Sequence, residues 1–286
     1  MEALVTTEWL AGEIGSPDLA LLDASYTSTI PGTIPGSPPS DPRAAFEAGH
    51  IPGARFLDLD TLRDPLNPLP STVPSAEAIA ERLGSLGVTP EMRVLLYDDG
   101  GHHTACRAWW LLRIAGVDAS ILDGGIPKWI AEGRPLEQGT AEGDGTTFPV
   151  RPAIGQLRTL DQMRANLKSR AEQVADARSA ARFSGDEPDP RPGCAPGHIP
   201  GSRNIPSGRF FNADGTWKQG AALEAVFAEA GIDPARPFVA TCGSGITAAI
   251  IVFGAHLLGH EAALYDGSWT EWGTTADTPK HLGAVA

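Results

Sequence analysis

Cys242 lies where a short apolar run gives way to small residues and then to an apolar stretch of helical length. Such a strand–turn–helix arrangement brings backbone N–H groups of the turn and of the first helical turn towards the sulfur. These dipoles favour the thiolate, which is the nucleophilic form of cysteine. Gly243 and Gly245 allow a tight turn, and Ser244 and Thr247 add hydroxyl groups beside it. The segment therefore predicts nucleophilic chemistry at Cys242.

Composition and charge limit the classes of function. The chain has 286 residues, of which 42% are apolar and 20% are charged, as in soluble globular proteins. Its formal net charge of -13 disfavours nucleic acid and anionic membranes as partners, because both carry negative charge. An anionic substrate would therefore need positive side chains close to its binding site.

The cysteines and the first residues indicate the compartment. Cys106, Cys194 and Cys242 are odd in number and far apart, which favours a reducing environment over a disulfide framework. The first residues lack the basic and apolar regions of a secretion signal, and no apolar stretch is long enough to span a bilayer. We therefore expect a cytoplasmic protein without a membrane partner.

The sequence does not indicate a cofactor site. No spacing of His, Cys and carboxylate residues is typical of a metal site. No glycine-rich loop matches a dinucleotide or nucleotide fingerprint. We therefore expect neither a metal nor a cofactor.

An internal duplication organises the chain. Three segments recur in the same order, since residues 21–25, 49–54 and 122–129 are echoed by residues 174–178, 197–202 and 265–272. Residues 137–152 are rich in Gly, Thr and Pro and read as a linker. We therefore predict an N-terminal domain over residues 1–136, a linker over 137–152 and a C-terminal domain over 153–286.

Each half alternates short apolar runs with helical stretches. Strands are predicted over residues 20–23, 94–97 and 120–122 and over 173–176, 238–241 and 262–265. Helices are predicted over residues 76–86 and 104–115 and over 222–230 and 247–258. This alternation indicates an α/β fold in which each domain has a mainly parallel sheet flanked by helices. Ligands of such sheets bind beyond the carboxyl ends of strands, where Cys242 is expected.

The duplication also allows the loop that carries Cys242 to be compared with the corresponding loop of the first half. The offset of 143 residues between Trp129 and Trp272 places Asp99 at the position of Cys242. A carboxylate cannot perform sulfur chemistry. We therefore predict that the N-terminal half is a noncatalytic copy that helps to shape the site.

Three motifs resemble the tandem-domain rhodanese family over nearly the whole chain. Residues 46–56, with His-Ile-Pro-Gly-Ala at 50–54, resemble its N-terminal signature, and residues 262–272 resemble its C-terminal signature. Residues 107–113 resemble a helix of its first domain. The resemblance implies two rhodanese-like domains and transfer of a sulfane sulfur through a cysteine persulfide.

The loop after Cys242 indicates the sulfur donor. Its neutral residues, which include Gly243, Gly245, Ile246 and Thr247 as candidate substrate contacts, resemble the loop of the 3-mercaptopyruvate sulfurtransferases. Thiosulfate sulfurtransferases of the family carry an Arg-Lys pair there, since a thiosulfate dianion needs positive charge beside its sulfur. A mercaptopyruvate carboxylate lies farther from the sulfur.

Two arginines match that more distant carboxylate. Arg182 and Arg191 correspond to the two arginines that bind the substrate carboxylate in this family. Arginine suits this role because its planar guanidinium can bind a carboxylate in a bidentate manner.

The resemblance also implies a catalytic relay of Ser, His and Asp. Ser244 and Asp60 match the serine and the aspartate, but Asn67 stands where the histidine is expected. Asparagine does not shuttle protons near neutral pH. His102 or His103 of the neighbouring loop is the candidate replacement.

The predicted enzyme is therefore a sulfurtransferase that moves sulfur from 3-mercaptopyruvate through a Cys242 persulfide and releases pyruvate. The expected acceptor is cyanide or a thiol, such as a thioredoxin-like protein or a low-molecular-weight thiol. A thiosulfate sulfurtransferase and a non-enzymatic persulfide carrier remain alternatives. A rhodanese-like phosphatase would need an arginine six residues after the cysteine, where this chain has Ala248.

Overall fold

A computed structural model describes residues 1–27, 41–140, 143, 145–151 and 156–283. The described chain forms two sheets, each with five strands. All of the strand pairs within both sheets are parallel. The predicted α/β architecture is therefore confirmed.

The first sheet has the order β1-β5-β4-β2-β3. Its strands are β1 (Leu4–Val5), β2 (Leu19–Asp23), β3 (Arg55–Phe56), β4 (Arg93–Tyr97) and β5 (Ala119–Leu122). The helices of this domain are α1 (Thr7–Glu13), α2 (Pro42–Ala48), α3 (Ala76–Ser85), α4 (Ala105–Ile114) and α5 (Gly125–Ala131), with a 3₁₀ helix over Leu59–Thr61.

The second sheet repeats this order as β6-β10-β9-β7-β8. Its strands are β6 (Gln156–Arg158), β7 (Gln173–Asp176), β8 (Arg203–Asn204), β9 (Phe238–Thr241) and β10 (Ala263–Tyr265). The helices are α6 (Leu160–Ser169), α7 (Ala180–Ser184), α8 (Gly220–Glu229), α9 (Ala248–Leu257) and α10 (Ser268–Thr274), with a 3₁₀ helix over Ser207–Phe210. Each strand and helix predicted from the sequence is present, with ends that differ by at most two residues.

Three apolar clusters hold the layers together. Two of them cover the outer faces of the two sheets. One buries Trp129 in the first domain, and the other buries Trp272 in the second. The third cluster continues from one domain into the other. At its centre α4 packs against α9, where Trp109 and Phe253 meet edge to face with ring centroids 4.9 Å apart. The large shared core fixes the two domains against each other.

The duplication produces reciprocal contacts between the domains. Asp266, which follows β10, accepts a hydrogen bond from the backbone N–H of Val73 in the first domain at 2.6 Å. Asp123, which follows β5, accepts one from the backbone N–H of Trp217 in the second domain at 2.8 Å. The two domains are therefore clasped by equivalent aspartates.

Described residues of the predicted linker lie against the first domain. Glu137 pairs with His50 through two backbone hydrogen bonds of 2.9 Å, and Phe148 is buried in the shared core. Residues 141, 142, 144 and 152 of that prediction lie outside the described residues. The boundaries at 136 and 153 stay predictions.

The sheet register corrects one detail of the sequence comparison. Asp98, and not Asp99, follows the end of β4 as Cys242 follows the end of β9. The turn between strand and helix is one residue longer in the first domain, since α4 begins seven residues after Asp98 and α9 begins six residues after Cys242. An offset taken from residues beyond this turn therefore misplaces the preceding loop by one residue.

Candidate active site

The loop over residues 242–247, called the Cys242 loop below, connects β9 to α9. Gly245 has φ +83°, a conformation that glycine adopts without strain. Its backbone N–H donates to Sγ of Cys242 at 3.1 Å. A hydrogen bond of this kind is stronger when the acceptor is ionised. This N–H is therefore placed to stabilise negative charge on the sulfur, and nucleophilic chemistry at Cys242 stays a prediction.

The turn after β10 supports the other side of this loop. Ser268 Oγ accepts from the backbone N–H of Cys242 at 3.2 Å, and the N–H of Trp269 donates to the Cys242 carbonyl at 3.0 Å. The carbonyl of Gly243 accepts from both the backbone N–H and the hydroxyl of Thr270, at 2.9 and 2.6 Å. The backbone around Cys242 is thus fixed before any substrate binds.

Cys242 lines a cavity of about 240 Å³ between the domains, called the Cys242 cavity below. Its walls bring together most of the predicted site residues. The second domain contributes Cys242, Gly243, Ser244, Ile246, Thr247, Arg182 and Arg191, together with Ala177, Arg178, Ser179, Glu187 and Ser207. The first domain contributes Tyr26 and His102. Both domains therefore shape the site.

Carboxylates orient the two predicted arginines. Arg191 Nη1 lies 3.1 Å from Oδ1 of Asp189, whose side chain is almost fully buried. Arg182 Nε lies 3.3 Å from Oε1 of Glu187. Among the described residues, Nε of Arg191 is buried without a hydrogen-bond partner. The pair therefore offers fixed N–H donors to an anion, although each charge is partly balanced.

Arg178 is a wall residue that the sequence reasoning missed. Asp176 holds it through a buried ion pair of 2.7 Å, and its guanidinium lies 4.4 Å from the ring centroid of Trp269. Its Nη1 is buried and has no hydrogen-bond partner in the described chain. A comparison of the two halves could have identified Arg178, because it stands in the second half where the first has Ser25.

The loop histidines occupy different environments. His102 lines the Cys242 cavity, and burial lowers its pKa against the opposing effect of Asp99. Its Nε2 is buried and has no hydrogen-bond partner within the described ranges. His103 instead stacks on Phe211 with ring centroids 3.4 Å apart. His102 is therefore the histidine beside the site.

The other members of the predicted relay lie elsewhere. Asp60 lines a neighbouring cavity, which Ile246 and Arg107 also line, and it is exposed. Burial and the charge of Asp58 raise the pKa of Asp60. Asn67 Oδ1 accepts from the backbone N–H of Leu69 at 3.0 Å, so its side chain completes a local turn. The structure does not bring Asp60 and Ser244 into one cavity, and a role for Asp60 stays a prediction.

The described residues contain no group of three or more His, Cys, Asp or Glu side chains placed to hold a metal ion. None of their helices combines the length and the apolar character needed to cross a membrane.

Comparison with known proteins agrees with this architecture. Residues 6–132 and 159–275 each match the family described as "Rhodanese-like domain". The chain is 40% identical over 288 residues to 3-mercaptopyruvate sulfurtransferase of Rattus norvegicus, which covers 98% of this chain and 94% of that protein. It is 37% identical over 279 residues to thiosulfate sulfurtransferase of Cricetulus griseus, covering 94% and 91%.

A solved structure supports the same relationship. The crystal structure of SseA from Escherichia coli, described as a 3-mercaptopyruvate sulfotransferase with the rhodanese fold, superposes with a TM-score of 0.83 at 32% identity. The match covers 94% of this chain and 99% of that one.

Proposed function

The chain belongs to the rhodanese family and is a sulfurtransferase, and we propose that it takes its sulfur from 3-mercaptopyruvate. The observation that carries this proposal is the charge distribution around Cys242. Residues 243–247 have no charged side chain, whereas Arg182 and Arg191 line the Cys242 cavity. The loop itself therefore supplies no cation for a thiosulfate dianion, and the arginines of the cavity wall suit a carboxylate.

The first half-reaction forms a persulfide. The Cys242 thiolate attacks the sulfur of 3-mercaptopyruvate, and an S–S bond forms as the C–S bond breaks. The electron pair of the C–S bond stays on carbon as the enolate of pyruvate, which takes up a proton. The N–H of Gly245 stabilises charge on the Cys242 sulfur, while Arg182 and Arg191 orient the carboxylate.

The second half-reaction returns the enzyme to its starting state. A thiolate acceptor, either a low-molecular-weight thiol or a thioredoxin-like protein, attacks the outer sulfur of the persulfide. The S–S bond breaks, and its electron pair returns to Cys242 as a thiolate. Cyanide takes the same sulfur as thiocyanate in an assay.

Protons are handled by groups that line the cavity. In this proposal the neutral imidazole of His102 takes the proton of the substrate thiol as the C–S bond breaks. The resulting imidazolium then gives this proton to the enolate carbon, which completes pyruvate. Ser244, which also lines the cavity, donates a hydrogen bond near the reacting sulfur.

Steady-state kinetics test the choice of donor. We expect kcat/KM for 3-mercaptopyruvate to exceed that for thiosulfate, with cyanide or a small thiol as acceptor. Cys242→Ser should abolish pyruvate release, and mass spectrometry should find one added sulfur on Cys242 after reaction with the donor. A preference for thiosulfate would replace this proposal with its runner-up, and turnover by the Cys242→Ser variant would refute the persulfide mechanism.

Arginine variants test how the donor is held. A lysine cannot reproduce the planar, bidentate donors of a guanidinium. Arg191→Lys should therefore raise KM for 3-mercaptopyruvate by roughly tenfold, the loss of about one charge-assisted hydrogen bond. Arg203→Lys is a matched control, since Arg203 lies on β8 and does not line the Cys242 cavity. An unchanged KM in Arg191→Lys would argue against the proposed carboxylate site.

A further inference from the structure

Arg107 connects the first domain to the Cys242 loop. It lies on α4, and its side chain is only 3% exposed. Its Nη1 donates to the carbonyl oxygen of Gly245 at 3.2 Å and to Oδ1 of Asp266 at 2.9 Å. Its Nη2 donates to the carbonyl oxygen of Ser71. The guanidinium therefore joins the loop to both the turn after β10 and the first domain.

Gly245 is the residue whose N–H donates to Cys242 Sγ. One backbone residue thus carries the donor to the sulfur and the acceptor for Arg107. The surroundings of Gly245 are tight, because a Cβ there would lie 2.9 Å from the Asp266 carbonyl oxygen and 3.2 Å from Arg107 Nη1. A change in the position of the guanidinium would therefore shift the N–H that faces the sulfur.

The duplicated domain supplies an internal comparison. The aspartate clasp occurs in both directions, since Asp266 accepts from Val73 and Asp123 accepts from Trp217. The guanidinium does not recur. Arg107 is the third residue of α4, and the third residue of α9 is Ile250. The arginine is therefore found only in the domain that faces the loop with the nucleophile.

We propose that Arg107 is a positioning residue, which fixes Gly245 so that its N–H stays directed at the sulfur of Cys242. The first domain then takes part in sulfur transfer through Arg107 as well as through His102. This inference rests on the proposed function only for the identity of the donor.

The position of Arg107 separates this role from substrate binding. Arg107 lines the neighbouring cavity beside Asp60 rather than the Cys242 cavity. Loss of its contact with Gly245 should therefore slow attack by the sulfur and leave donor binding nearly unchanged. The expected signature is a lower kcat with a similar KM.

Arg107→Lys and Arg113→Lys form a matched pair. Both arginines lie on α4, both reach an acidic residue of the second domain, and both stack on a tryptophan. Arg113 pairs with Glu261, away from the Cys242 loop. Lysine carries its donors on a single nitrogen, so it cannot contact Gly245 and Asp266 on one side and Ser71 on the other as the two guanidinium nitrogens do. We expect Arg107→Lys to lower kcat by roughly tenfold with KM within about twofold, and Arg113→Lys to leave both nearly unchanged.

Alkylation of Cys242 separates this inference from the choice of donor. The rate constant for iodoacetamide at neutral pH reports the nucleophilicity of the sulfur without any sulfur donor. It should fall in Arg107→Lys and stay at the wild-type value in Arg113→Lys. This result would support the inference even if 3-mercaptopyruvate proved to be a poor donor.

A second variant guards against misfolding of the first. Asp266→Asn keeps the size of the side chain and removes the charge that fixes Arg107, so it should lower kcat and the alkylation rate by roughly threefold. Thermal melting would show that each variant is folded. Wild-type kcat and alkylation in a folded Arg107→Lys and in Asp266→Asn, or a raised KM with unchanged kcat, would overturn the inference.

Discussion

The guanidinium of Arg191 lies directly against Gly243. A Cβ on Gly243 would be 2.6 Å from both Nη1 and Nη2 of Arg191. The residue after the nucleophile must therefore be small for the arginine to occupy its place in the cavity. The glycine and the arginine form a single structural unit, although they are far apart in the sequence.

Gly243→Ala should separate donor binding from stability. The contacted guanidinium is the end of a flexible side chain, so the fold can accept the added methyl group if Arg191 moves. We expect KM for 3-mercaptopyruvate to rise by roughly tenfold, because the N–H groups of Arg191 that would bind the substrate carboxylate are displaced. Tm should change little. Steady-state kinetics and thermal melting check this. Gly208→Ala is the control, since a Cβ there meets no atom within 4 Å; equal kinetics in the two variants would contradict the prediction.

His102→Gln should slow only the half-reaction that moves a proton to carbon. Glutamine keeps hydrogen-bonding capacity but cannot shuttle a proton, so we expect pyruvate release in a single turnover to fall by roughly 100-fold. Discharge of a persulfide preloaded with polysulfide onto cyanide needs no such proton and should keep its rate. Rapid quench with pyruvate and thiocyanate detection measures both. Equal loss in the two half-reactions would indicate a structural role for His102 instead.

The three cysteines should differ strongly in alkylation. Burial raises the pKa of Cys106 well above its usual range, and burial together with Asp189 raises the pKa of Cys194 to about 11. Cys242 instead lines a cavity and accepts the Gly245 N–H. Iodoacetamide should therefore label Cys242 first and leave Cys106 unlabelled while the protein is folded. Peptide mass spectrometry over time measures the order, and labelling of Cys194 as fast as Cys242 would contradict it.

His103 should make the protein less stable in acid. Burial, with a smaller effect of His102, lowers its pKa from 6.5 to about 4. Between these pH values the unfolded chain binds a proton that the folded chain does not, so the free energy of unfolding falls as pH falls from 6.5 towards 4. Asparagine suits the φ of +49° at this position and does not titrate.

Urea denaturation of wild type and His103→Asn at pH 7 and pH 5 tests this expectation. The loss of stability between the two pH values should be smaller in the variant, by about 1 kcal/mol after allowance for partial exposure. The shift at other histidines, such as His256, would remain in both proteins. An identical loss in both proteins would place the acid sensitivity elsewhere.

The central strands and their helices could be predicted because they are long enough to show a pattern. Runs such as Phe238–Thr241 and Ala248–Leu257 are buried almost throughout, so apolar residues follow one another with few interruptions. The edge strands β3 and β8 have two residues each. No periodicity can identify a strand of that length, and pairing with a neighbour alone defines it.

The sequence could identify residues that line one cavity where a motif names each residue by itself. Cys242 and the two predicted arginines lie on one cavity, as their motifs implied. The sequence named His102 only as one of two candidates, because the side chains of adjacent residues enter different surroundings. The contact of Arg107 with Gly245 joins positions separated by 138 residues. Such a contact depends on how the domains dock, which local patterns do not report.

Asp98 distinguishes the turn after β4 in the first domain from the Cys242 loop in the second. Its carboxyl oxygens accept the backbone N–H groups of Gly100 and Ala105, at 2.8 and 2.7 Å, within the turn that corresponds to the Cys242 loop. In the first domain, these backbone N–H groups of the turn are therefore already bound by a side chain of the same turn. Because Asp98 follows β4 as Cys242 follows β9, a cysteine introduced at this position would also remove the carboxyl that now accepts these N–H groups, so one substitution would place a sulfur in the equivalent turn.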